Sequence, residues 1–224
     1  MKPLIIAIDG PSGSGKSTLG RMLARELGLL YIDTGSMYRA VALAVMESSV
    51  SATDDVAVGS LAGRIDIDLA GDPESLRVTL GGQDVTEQIR SEEVTHLSSL
   101  ISTIPAVRRA MVARQREMGM RGAVLNGRDI GTVVFPDADV KFFLTAAPDA
   151  RAQRRFAEDH SADPTVGFAE TLAEMIERDA RDSTRTDSPL KIADDAVVID
   201  STGLSIQEVF EKMMAVMRER SSGH

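Results

Sequence analysis

Nine consecutive residues, Gly10-Pro11-Ser12-Gly13-Ser14-Gly15-Lys16-Ser17-Thr18, carry three glycines, one lysine and hydroxyls at the spacing G-x-x-x-x-G-K-[ST]. Each residue type has a job in holding phosphate. Glycines let successive backbone N–H groups turn inward around phosphate oxygens, and a helix starting there adds partial positive charge. Lys16 brings a mobile cation to the outer phosphates, and Ser17 offers a hydroxyl to Mg²⁺. A glycine-rich turn with a chance lysine would look similar in isolation. This run, however, follows a short apolar stretch and opens a helical pattern, as the mechanism requires. It points to bound ATP or GTP.

Two further loops have the same polar character. Asp33-Thr34-Gly35-Ser36-Met37-Tyr38-Arg39 brings a carboxylate, hydroxyls and an arginine to the end of a predicted strand, where open α/β sheets bind ligands. A helix start capped by Thr34 or Ser36 explains the run equally well. Gly127-Arg128-Asp129-Ile130-Gly131-Thr132 follows another predicted strand, and a turn with a local ion pair is its plain alternative. Arg178–Pro189 alternates arginine with aspartate behind a helix, which by itself reads as a solvated helix end. Three polar loops at three strand ends make a mouth rather than three coincidences. A GTP-reading N-K-x-D segment is missing from the sequence. The apolar run Val140–Leu144 ends in Thr145, with Asp137 and Asp139 before it, which is unlike the metal-binding strand of a motor ATPase. A kinase for a small, phosphate-bearing acceptor remains.

The elements that must hold these loops are legible from periodicity. Leu4–Asp9, Leu29–Asp33, Ala123–Asn126, Val140–Leu144 and Ala196–Asp200 are short apolar strands, and Lys16–Leu27 is a helix closed by Gly28. Strands alternating with helices predict an α/β protein with a parallel sheet covered on both faces. Ile65–Leu69 and Leu76–Leu80 alternate in the strand sense, and Gly81-Gly82 turns the chain toward Asp84-Val85, predicting a small inserted antiparallel meander. Helical patterns near Asp54–Gly63 and Glu92–Ser102 flank it. His96 and His160 stand alone without acids at ligand spacing, and Met213, Met214 and Met217 read as packing on the last helix.

Composition narrows the setting. The 224 residues include 34 acids against 25 bases, a net charge of −9, which argues against nucleic acid as a partner. Hydrophobic content of 43% and charged content of 26% are those of a globular chain. The absence of cysteine excludes disulfides, thiolate nucleophiles and zinc–thiolate sites. No apolar run reaches the roughly 20 residues needed to cross a bilayer. A cytoplasmic protein with no membrane partner is expected.

The combination of Gly10–Thr18, Asp33–Arg39, the run from Gly127 through Thr132 to Ala138, and Glu177–Arg185 resembles the bacterial cytidylate (CMP) kinase family, over a stretch from about Leu4 to Arg218. The resemblance implies a P-loop NTP hydrolase-type five-stranded parallel sheet with helices on both faces, in a single domain over 1–224. It further implies an NMP-binding insertion near 36–100 and a short helical lid near 151–185. The implied reaction is phosphorylation of CMP and dCMP by ATP with Mg²⁺, in a monomer whose partners are these nucleotides. By the same resemblance Gly10 to Thr18 and Arg154 bind ATP, with Ser17 on the metal. Arg39 and Arg128 clamp the acceptor phosphate. Thr34, Arg108, Asp129 and Arg185 read the pyrimidine edge, while Ser99, Arg178 and Asp182 sit around the ribose. Lys16, Arg128, Arg181 and the acid Asp33 are the implied catalytic residues. Arg151 and Arg155 are further lid candidates. Thr34 and Asn126 stand where some relatives have serine and an acid, and Asn126 is given no role.

Overall fold

The computed structural model describes residues 3–162 and 165–222. Five parallel strands form the main sheet: β1 (Ile5–Asp9), β2 (Leu30–Asp33), β6 (Ala123–Gly127), β7 (Val140–Thr145) and β8 (Val197–Asp200), in the order β2-β6-β1-β7-β8. Alternating side chains of one strand feed two cores. Ala7 of β1 faces one apolar cluster, whereas Ile6 and Ile8 face the other. Helices α1 (Lys16–Leu27) and α8 (Ile206–Ser222) cover the second face, where Met213 and Met217 are buried as expected. Helices α2 (Thr34–Glu47) and α5 (Pro105–Gly119) contribute to the first.

Register decides where the chemistry goes. Asp9 pairs with Gly127 across β1 and β6, and Asp33 pairs with Asn126 across β2 and β6. The three strands therefore end at one level, and the loops that follow them leave the same sheet edge side by side.

The insertion contains α3 (Asp55–Arg64), the antiparallel strands β3 (Ile67–Ala70), β4 (Arg77–Leu80) and β5 (Gln83–Asp84), and α4 (Glu92–Ile101). Gly81 and Gly82 take left-handed φ values of 57° and 81°, as a two-residue hairpin turn requires. Two helices, α6 (Pro148–Ala162) and α7 (Phe168–Thr184), pack together over the stretch near 151–185 expected to form the lid.

Strand starts fall later than the apolar runs suggest, because helix caps consume the first residues. Gly28, at φ 63°, and Leu29 return their N–H groups to Arg25 and Ala24 of α1, so β2 begins at Leu30. Ile65 donates to Leu61 as the last link of α3, and β3 begins at Ile67. Ala196 closes a turn on Ala193 ahead of β8.

Candidate active site

The phosphate cradle occupies the turn between β1 and α1. Gly15 precedes α1 at φ 90° with no side chain capping the helix, so the first-turn N–H groups stay available to an anion. Gly13, at φ 70°, lies so close to α6 that a Cβ would stand 2.7 Å from the Arg151 carbonyl oxygen. Only glycine fits there. The Lys16 ammonium is folded back, donating to the Pro11 carbonyl at 2.5 Å and to Ser14 Oγ at 3.2 Å. Burial holds its pKa well below the ordinary lysine value, and the neighbouring Arg128 and Arg178 push the same way. Such a cation gains from any polyanion that arrives.

Helices α6 and α7 reach the same loop. Ser12 N–H donates to Asp179 at 3.4 Å, while Arg151 donates both to the Ser12 carbonyl at 3.0 Å and to Asp179 at 2.5 Å. One buried ion pair between α6 and α7 thus grips both sides of a P-loop residue. Arg154, expected at ATP, instead donates to the hydroxyl and carbonyl of Ser201 beyond β8.

At the other end of the site, polar residues pair with one another. Arg108, only 2% exposed, pairs with Asp129 at 2.5 Å, donates to the Ser102 carbonyl at 3.2 Å, and lies 5.5 Å from the centre of the Tyr38 ring. Arg185 approaches the other Asp129 oxygen at 3.8 Å and Asp182 at 3.3 Å. Arg128 donates through Nε to Asp182 at 2.9 Å. Burial works to raise the Asp182 carboxyl, but Arg128, Arg178 and Arg185 outweigh it and hold its pKa below the usual range. Burial lowers Arg178 to about 10, with Arg128 adding to the effect. Its Nε, and Nε of Arg39, are buried without partners.

A single cavity of about 980 Å³ joins the two ends, lined by Gly13, Lys16 and Ser17 on one side and by Arg108, Asp129 and Arg185 on the other. Asp33, Thr34, Arg39, Arg128, Arg178 and Asp182 line it between them. The resemblance-based residues therefore converge, with exceptions. Ser99 is buried with an unpartnered hydroxyl, and the cavity is lined by Ser98 and Ser102 of that segment instead. Arg181 pairs with Glu177 along α7, and neither Arg181 nor Arg154 lines the cavity.

Asp33, which lines the cavity, also has a structural part. It caps α2 by accepting from Gly35 N–H and Ser36 Oγ, and it pairs with Arg39 at 3.3 Å. The cap is thus Asp33, not Thr34 or Ser36; Thr34 donates to the Asn126 carbonyl at 2.7 Å.

Three contributors escaped the sequence reading. Asn126 donates to Ser17 Oγ at 3.1 Å and to the Tyr31 hydroxyl at 2.7 Å. Tyr38 lines the cavity with an unpartnered hydroxyl, which burial pushes up to about 12. Asp9, a carboxylate ending a buried strand, accepts two backbone N–H groups of the Gly127–Thr132 loop. An acid in an otherwise apolar strand was the visible signal for the last.

Ser17 is exposed at the cavity wall, and its oxygen, accepting one hydrogen bond from Asn126, keeps a lone pair for a hard cation. The residues present fit Mg²⁺ carried in with a triphosphate. Among the described residues no cluster of three or more His, Cys, Asp or Glu forms a separate metal site, and His96 is exposed on α4. The side chain of His160 lies outside the described residues. Among the described residues no helix is long and apolar enough to cross a membrane.

Comparison with known proteins agrees with this arrangement. A family described as Cytidylate kinase matches residues 6–219. A cytidylate kinase of Solibacter usitatus (strain Ellin6076) is 51% identical over 98% of this chain and 94% of its own length. Those of Geobacter sp. (strain M21) and Mycobacterium leprae (strain Br4923) are 48% and 44% identical, covering 97% and 99% of this chain and 94% and 98% of theirs. Among solved structures, a gluconokinase from Sinorhizobium meliloti 1021 aligns over 99% of this chain and 95% of its own, with TM-score 0.50 and 14% identity. An uncharacterized protein from Eubacterium ventriosum ATCC 27560 aligns over 96% of this chain and 98% of its own, with TM-score 0.55 and 11% identity. At such identities these two speak to the fold alone.

Proposed function

The chain belongs to the cytidylate kinase family and phosphorylates CMP, and on that premise we propose that its donor is ATP with Mg²⁺ and that dCMP is a second acceptor. The observation supporting this reading is the Arg108–Asp129–Arg185 cluster lying at one end of a cavity whose other end is the cradle around Lys16. Cytosine presents an exocyclic amine beside ring acceptors. A carboxylate flanked by arginines offers the matching acceptor and donors.

The acceptor oxygen belongs to a phosphate that is already anionic, so transfer needs alignment and charge neutralisation rather than a strong base. An oxygen of the CMP phosphate attacks the γ-phosphorus, the bond from γ-phosphorus to the bridging oxygen breaks, and ADP leaves. Lys16 swings from Pro11 and Ser14 to the β- and γ-phosphates, while Arg39 and Arg128 hold the acceptor phosphate through their spare N–H groups, and Arg178 and Asp182 face the ribose. Asp33 keeps Arg39 aimed and takes no proton. Mg²⁺ at Ser17, when bound, supplies Lewis-acid stabilisation of the β- and γ-oxygens. The α6–α7 lid, through Arg181 with buried N–H groups unpartnered at Nε and Nη1, adds positive charge on closure and excludes water. Arg154 serves ATP indirectly, by holding the loop after β8 against the lid. Thr34 and Ser99 complete the base and ribose surroundings. The protein works as a cytoplasmic monomer with nucleotides, not nucleic acid or membrane, as its partners.

A coupled ADP-release assay with CMP, dCMP, UMP and AMP tests the reading. CMP and dCMP are expected to lead. ADP release with none of the four, or an AMP lead, sinks it.

A further inference from the structure

Asp9 closes β1 one residue before the cradle, yet its carboxylate turns away to the neighbouring loop. Oδ1 accepts from Ile130 N–H at 2.8 Å and Oδ2 from Gly131 N–H at 2.7 Å. These are the opening amides of the π turn Ile130–Val134, whose own preceding residue, Asp129, makes no side-chain cap. The start of any helical turn leaves N–H groups unmatched, and the adjacent residue usually supplies the acceptor. Here the acceptor comes from another strand. Asp129 is thereby left to face Arg108 and Arg185. The fit is close, since a Cβ on Gly131 would stand 3.0 Å from Lys141 Cδ and 3.4 Å from Asp9 Oδ2.

We infer that Asp9 is a positioning residue that fixes the Arg128–Asp129 corner in register with the phosphate cradle, so that one carboxylate sets the spacing between acceptor and donor sites. It touches neither substrate. The groups facing it are Lys16 from α1 and Asp129 from the turn, whereas Lys141 on β7 sends its ammonium to Asp195 and the Pro136 carbonyl. The inference rests on the proposed contact between Asp129 and the cytosine edge.

Asp9→Asn is the test, because the amide keeps the shape but presents an N–H₂ to one of the two backbone donors. Losing one charge-assisted hydrogen bond of this kind corresponds to roughly ten- to hundredfold in equilibrium. The expected result is a rise of about tenfold or more in KM for CMP and a similarly narrowed CMP:UMP lead in kcat/KM, with KM for ATP within about twofold. Hydrogen exchange at the Ile130 and Gly131 amides, read without substrate, should quicken by about tenfold. If Asp9→Asn does not fold, Asp9→Glu provides the second variant, keeping the charge but moving the oxygens from their places on the Ile130 and Gly131 N–H groups; the same split is expected. Equal rises in KM for CMP and ATP with an unchanged CMP:UMP ratio overturn the inference, as does faster amide exchange with unaltered CMP kinetics. Failure of the base assignment is seen separately, as an unchanged CMP:UMP ratio in Asp129→Asn; the exchange readout does not depend on it.

Discussion

At the scale of the residue, the site is a set of charges whose partners are already chosen. Asp129 is held by Arg108 at 2.5 Å and faced by Arg185 at 3.8 Å, so its oxygens are aimed by the protein's own arginines. Uracil presents a carbonyl where cytosine presents an amine, and a misplaced polar contact in a closed site costs about 1–3 kcal/mol, or about ten- to hundredfold. Asp129→Asn, able to donate to that carbonyl, should lower kcat/KM for CMP and narrow its lead over UMP, while Asp129→Ala should lose CMP activity without the same help to UMP. Identical CMP:UMP ratios in all three proteins would assign Asp129 to bracing Arg108 alone. Asp9 makes a different kind of prediction. Burial raises its pKa from 3.8 to about 6 against the pull of two backbone N–H groups. A carboxyl raised on folding ionises first in the unfolded chain, so its contribution to stability falls as pH rises from about 4 to about 6 and is flat above. The shift corresponds to about 3 kcal/mol. Asp9→Asn lacks this term, so urea unfolding should show the variant gaining on the wild type by that order across the window. A difference independent of pH would mean that folding leaves the Asp9 pKa unshifted. A charge that weakens the fold yet orders a loop is what a functional carboxylate looks like.

At the scale of the element, α7 reaches the P-loop and the cavity wall at once. Asp179 faces the P-loop through Ser12 and Arg151, while Arg178 and Asp182 line the acceptor cavity a turn or less away. Removing Asp179 strands the Arg151 guanidinium, 9% exposed, at the α6–α7 junction. Breaking one partner of a buried pair costs about 3–5 kcal/mol at full burial, and less here because Asp179 is 20% exposed. Asp179→Ala should therefore raise KM for CMP as well as for ATP and quicken amide exchange throughout Phe168–Thr184. An effect confined to ATP would make the two faces of α7 independent. Legibility in the sequence follows the same division. The P-loop, the strand ends and the insertion could be read because glycines, apolar runs and turn residues act locally. Asp179 could not be singled out from the arginine–aspartate alternation, since its meaning comes from a residue 167 positions away. Asp33 shows the opposite case. An acid at a strand end is equally a cap and a reacting group, and only the Gly35 and Ser36 contacts decide between them.

At the scale of the whole molecule, the insertion was legible as a separate meander but not as part of the core. Its apolar residues Ile67, Leu69, Val78, Val85 and Ile89 belong to one buried cluster with Ala7, Ile32 and Leu125 of the main sheet. Periodicity shows which side of a strand is apolar; it cannot show whose core that side joins. The consequence is cooperative. An insertion that packs on α2 and α5 and shares one buried cluster with the central sheet has no core of its own to keep when the sheet melts, so a single unfolding transition is expected. The exposed ion pairs tying the insertion's Glu74 to Arg21 and Arg25 of α1 contribute less than about 1 kcal/mol and do not set this coupling. Ile89, 2% exposed in the short helical turn before α4, is the sharper probe. Truncating a buried isoleucine costs about 2–5 kcal/mol through lost burial and the cavity left behind. In Ile89→Ala that loss should appear as a shift of the entire urea transition, with far-UV circular dichroism and tyrosine fluorescence still coincident. Tyr38 packs against the cluster that holds the insertion, so the fluorescence is read in a Tyr38→Phe background, where Tyr31 is the one tyrosine left and reports from the opposite face of the sheet, in the cluster under α1 and α8. Were the variant to unfold in two steps, with Tyr31 unmoved in the first, the insertion would be a domain apart and its shared cluster with the sheet would not couple them.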